Sequence, residues 1–83
     1  MNLRTMVFPT RVRAEVLKLL ASIEVADSAQ GVNMASQRAE GFVLGLETAS
    51  AFKADVIEAL YVGFDKAIEE RIASLRKLTL FHD

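Results

Sequence analysis

The stretch that decides the fold runs from Arg38 to Arg76: RAEGFVLGLETAS (38–50), AFK (51–53) and ADVIEALYVGFDKAIEERIASLR (54–76). In its last segment, apolar residues stand at Ile57, Tyr61, Phe64, Ile68, Ile72 and Leu75, in steps of four, three, four, four and three. Such steps average about 3.6 and gather the residues on one stripe of an α-helix. Val56 and Leu60 widen the stripe. The opposite face carries Asp55, Glu58, Asp65, Lys66, Glu69 and Glu70, so the helix is amphipathic. Asp55 and Glu58 fall in its first turn and Arg76 and Lys77 in its last, which suits the helix dipole. The pattern predicts a helix over 54–77.

Working back toward the N-terminus, Ser28, Val32, Ala35, Ala39, Phe42, Leu46 and Ala49 repeat the same steps. They predict a helix over 28–49, capped by Asp27 with Gln30 three residues on, as in a capping box. It runs through Gly31, which costs about 1 kcal/mol relative to alanine. A shorter helix capped by Asn33 is the alternative. Residues 51–53 are too short a join for anything but antiparallel neighbours, with Phe52 plugging the turn. A third helix is expected from a Thr10 cap to Val25, with Val12, Val16, Leu19, Leu20 and Ile23 on its stripe and Leu17 widening it. The expectation is an all-α fold: a three-helix antiparallel bundle built on a helical hairpin, one domain, dimeric. Residues 1–9 form an arm and 78–83 a tail. Pro9 bars a helix from running back through Phe8. The arm is expected to lay Val7 and Phe8 on the core. The other reading has it reach over a partner subunit or pair as a short strand with Leu78–Phe81.

Composition sets the class. At 83 residues the chain makes one domain with a modest core, yet 52% of it is hydrophobic, more than three short helices hide alone. Self-association is the simplest way to cover the excess, and a two-fold dimer is the commonest form. There is no cysteine, hence no disulfide and no thiolate chemistry. No apolar run approaches the ~20 residues that span a bilayer, and MNLRTMVFPTR holds no signal-peptide core. A soluble, cytoplasmic protein is expected.

Chemistry is hard to assemble from these residues. The one histidine, His82, stands beside Asp83 with nothing to orient it as a base. A carboxylate di-metal bundle would want Glu-x-x-His pairs, and no interior histidine exists to make one. No phosphate-loop pattern occurs. The expectation is no enzyme, no catalytic residue, no metal and no cofactor.

Interaction residues are easier to nominate. Gly41 and Gly45 form a GxxxG, flanked here by Glu40 and Glu47 rather than by membrane-type sequence. They serve either close approach inside the hairpin, helped by Gly63 on the facing helix, or a seam for a second copy or a partner helix. Arg38 falls in the apolar stripe of its helix. Either its stem packs and its head reaches an acid of the next helix, or it anchors an interface. The candidate interface is Arg38, Gly41, Phe42, Gly45, Leu46, Tyr61 and Phe64. Leu44 projects among Glu40, Glu47 and Gln37, and with Tyr61 and Val62 it borders a possible patch. Net charge is −1, so nothing pulls the whole chain toward nucleic acid. Arg11, Arg13 and Lys18 would serve a transcriptional regulator as phosphate contacts. The acidic, alanine-rich second helix argues against insertion into a DNA groove.

RAEGFVLGLETASAFKADVIEALYVGFDKAIEERIASL (38–75) resembles the small α-helical accessory proteins of phages and mobile elements. That resemblance implies an inhibitor that works by occluding a host protein, as anti-CRISPR proteins do, and it carries no catalytic residues. The partners expected are a second copy, from the apolar excess, and another protein, as adaptor or inhibitor; no membrane is expected, and the less favoured alternative is a nucleic-acid-binding transcriptional regulator that uses the basic N-terminal helix.

Overall fold

In a computed structural model of the chain, residues 2–80 are described; the readings placed on Phe81, His82 and Asp83 lie outside them. Three helices form: α1 (Thr10–Val25), α2 (Ala29–Thr48) and α3 (Ala54–Leu80). They make an all-α bundle, with no strand among the described residues. Residues 78–80, read as tail, continue α3 instead, because no glycine or proline halts it. A strand pairing between them and the N-terminal arm is thereby excluded.

The caps differ from the reading in instructive ways. At α1 the cap is Pro9, not Thr10; its backbone is extended and its carbonyl accepts from the Arg13 N–H at 2.9 Å. Proline's fixed φ already suits that position. At α2 the cap is Ser28, not Asp27. The Ser28 Oγ accepts from the Gly31 N–H at 3.0 Å. A Cβ on Gly31 would lie only 3.2 Å from that oxygen, so the glycine leaves room for the cap rather than breaking the helix. The helix ends as a Schellman motif: the Ser50 N–H donates to the Glu47 carbonyl and the Ala51 N–H to the Leu46 carbonyl, both at 3.0 Å. Ser50 itself sits at φ 53°, the left-handed region that glycine favours.

The core forms where the three stripes meet. α1 gives Val16, Leu19, Leu20 and Ile23; α2 gives Val32, Ala35, Ala39 and Val43; α3 gives Ile57, Leu60 and Phe64. Val43, absent from the stripe read for α2, is fully buried, and Phe42 is half-buried in its place. Both positions continue the Ala35–Ala39 steps, so spacing does not separate them. Arg71 of α3 staples the corner between α1 and α2: its Nε donates to the Ala26 carbonyl, the C-cap of α1, at 2.8 Å.

The arm packs through Phe8 as expected, but with Leu3 in place of Val7. Val7 is 95% exposed, whereas Leu3 and Phe8 are buried. The Phe8 ring meets Phe52 edge to face, with centroids 6.0 Å apart. Leu3 lies on Gly63, where a Cβ would overlap the leucine's Cγ and both methyls. Gly63 therefore serves the arm, not close approach of α2 and α3. Arg4 pairs with Glu24 of α1 beside this contact.

Two outcomes follow from this packing. Ser50→Gly should stabilise the fold by about 1 kcal/mol, by relieving the left-handed penalty, in a urea titration. Gly63→Ala should displace Leu3, whose burial is worth about 1.5–3 kcal/mol, and this loss outweighs the helix-propensity gain of about 1 kcal/mol. In a Leu3→Ala background the same Gly63→Ala change should instead stabilise. Additive effects in that double-mutant cycle would contradict the contact.

Candidate interaction surface

α2 divides its apolar side chains. Its innermost residues are two valines and two alanines, Phe42 and Leu46 are half-buried beside them, and Met34 and Leu44 stand outside, 52% and 56% exposed. Large apolar side chains left in water are the costly arrangement, and a surface that gathers them marks a contact site.

The seven nominated residues separate into three sets. Phe64 is a core residue of α3, and Phe42 and Leu46 are half-buried against that same core, so these three build the bundle. Arg38 is exposed, not held in the apolar stripe, and forms no ion pair with the following helix among the described residues. It stands one turn from Met34 on the outer side of α2. Gly41 and Gly45 are also exposed, and a Cβ on either would meet nothing within 4 Å. The GxxxG thus plays no part in packing the hairpin; the small stripe that does so is Ala35 and Ala39. Tyr61 is half-buried at the edge between α2 and α3.

That edge is a cleft of about 510 Å³, bounded by Gln37, Glu40, Gly41 and Leu44 of α2 and by Tyr61 and Asp65 of α3. Leu44 and the Tyr61 ring give it an apolar floor. Sequence spacing placed Leu44 beside Tyr61, and the structure brings them to one cleft. It puts Val62, 60% exposed, one position further round α3. The Tyr61 hydroxyl donates to Glu47 Oε1 at 3.2 Å, tying the two helices across the cleft. Removal from water raises the phenol above its ordinary 10.0, and the hydrogen bond to Glu47 and the charges of Glu47 and Glu40 raise it further. No basic residue borders the cleft. Lys66 lines a different cleft, between α1, α3 and the arm, and Arg38 lies two residues, or about 200° of helix rotation, from Glu40.

Three or more acidic or histidine side chains placed to hold a metal ion do not occur among the described residues. No helix of the described residues is long and apolar enough to cross a membrane. Compared with protein-family models, curated proteins and solved structures, the chain matches none.

The tyrosine gives a spectroscopic check of the cleft. Its absorbance titration should have a midpoint above 10.0 in the folded protein, and Glu47→Gln should lower that midpoint. A raised folded value means the neutral phenol stabilises the fold; that contribution is complete below the unfolded value and is lost as pH rises through the folded one.

Proposed function

We propose that the protein is a non-enzymatic interaction module that pairs with itself and binds another protein. The observation that supports this reading is the exposure of two large apolar residues of α2, Met34 and Leu44, while its buried positions are alanines and valines. Two adjacent strips of α2 serve the two contacts. Met34, Arg38, Gly41 and Gly45 suit the seam with a second copy, since the bare glycines let a helix come close. Leu44, with Tyr61 and the carboxylates beside it, suits the other protein. A chain this small acts by covering its partner's working face, as an inhibitor or adaptor does.

Two measurements test it. Sedimentation at micromolar concentration should give twice the 9.1 kDa chain mass, and Gly41→Leu with Gly45→Leu should return it to the monomer. A monomeric mass for the unaltered protein would remove self-association. Affinity capture from the native host should recover a protein that Leu44→Glu fails to recover while circular dichroism stays unchanged. Recovery of the same protein by both would remove this surface from the function.

Arg11, Arg13 and Lys18 are all exposed on α1 with no ion-pair partner among the described residues, which favours nucleic-acid regulation as a second reading. A labelled duplex should then shift at low salt, and Arg11→Ala with Arg13→Ala should abolish the shift. No shift at low salt would dismiss it.

A further inference from the structure

The geometry points to a cationic amphipathic helix as the segment that the α2–α3 cleft receives, an inference that rests on the interaction reading above and specifies its partner. The cleft has a floor and charged rims. Leu44 and Tyr61 make the floor. Glu40 lines it on the α2 side and Asp65 on the α3 side, and Glu47 adjoins it, accepting the Tyr61 hydroxyl hydrogen bond. Glu58 and Glu69, seven residues before and four after Asp65, extend the same face of α3, and both are exposed.

Charge selects the occupant. None of these carboxylates has an ion-pair partner among the described residues, where the one ion pair is Arg4–Glu24. Between residues 33 and 70 the basic side chains are Arg38, Lys53, Lys66, and none borders the cleft. Acids of one sign set around an apolar floor repel an acidic or neutral partner and attract a basic one. Shape selects the form. The walls are two helices whose backbone groups bond within their own turns, so no strand edge offers itself to an extended peptide. The groove between two antiparallel helices accepts a third helix by ridge-into-groove packing. α1 already does this on the other side of the α2–α3 pair. A basic helix with apolar residues at i, i+3, i+4 and i+7 would set them on Leu44 and Tyr61 and its lysines or arginines on the rims.

Three labelled probe peptides distinguish the outcomes by fluorescence anisotropy against the intact chain: an 18-residue Leu–Lys amphipathic helix, a Leu–Glu helix with the same apolar stripe, and a flexible Gly–Lys peptide of equal positive charge. The Leu–Lys helix should bind, more weakly as salt rises. Glu40→Gln with Asp65→Asn should weaken it roughly tenfold, and Leu44→Ser at least about tenfold. Asp27→Asn with Glu70→Gln, the same charge change away from the cleft, should leave it unchanged. Circular dichroism verifies that each variant stays helical. Equal binding of the Gly–Lys peptide, or equal weakening by the control pair, would overturn the proposal by reducing it to bulk charge. Preference for the Leu–Glu helix would overturn the partner's chemistry while leaving the interaction reading standing. Binding of no peptide, with the host protein still captured in a Leu44-dependent way, would overturn the helical occupant alone.

Discussion

Everything in this fold depends on α2 offering small side chains to its neighbours. Ala35 and Ala39, between Val32 and Val43, share the core with Leu19, Leu20 and Ile23 of α1 and with Leu60 and Phe64 of α3. Interiors pack at crystal-like density, so bulk on two helices has to be met by its absence on the third. The arrangement seals a core with few residues per helix, which an 83-residue chain requires. It also leaves Met34 and Leu44 of α2 exposed, while Phe42 and Leu46 are half-buried against the core.

The helices were legible because periodicity is a local property. Steps of three and four residues, with Pro9 and the short AFK join, fix three elements and their antiparallel order. The misreadings all turn on what cannot be judged within one helix. Gly41 and Gly45 have the spacing of a close-packing motif, yet which side of α2 faces the hairpin depends on where α1 and α3 settle. Arg38 was assigned to the stripe for the same reason: its neighbours Ala35 and Phe42 lie on the inner side, but Met34, Gly41 and Gly45 lie on the outer one. Gly63 shows the limit most clearly. Its partner, Leu3, is sixty residues away, and nothing in either segment announces the other. The Asp27 cap failed differently, since Asp27 and Ser28 are both good caps and only the backbone conformation chooses between them.

The candidate surface was half legible. Of Leu44, Tyr61 and Val62, nominated together as a patch, the first two line one cleft and Val62 lies outside it. The carboxylates around them read as a solvated face, which is the ordinary fate of charges on an amphipathic helix. What changes their meaning is that acids from two helices converge on one cleft while the nearest cations, Arg38 and Lys66, turn to other sides. Convergence of that kind is a tertiary fact. It also bears on Tyr61, whose phenol is raised above its ordinary value first by removal from water and then by Glu47 and Glu40.

The unequal helix lengths carry one more implication. At about 1.5 Å per residue, the 27 residues of α3 outreach the 20 of α2 by about 10 Å. Arg71 is bonded to the end of α1, and Ile72, Ser74 and Leu75 after it are still half-buried. From Arg76 to Leu78 the side chains are exposed, so the helix there relies on its own backbone bonds, and isolated turns are only marginally stable in water. The protein therefore comprises two regimes of order: a cooperative unit through Leu75, and a final turn whose amides should exchange with solvent by local fraying rather than by global opening.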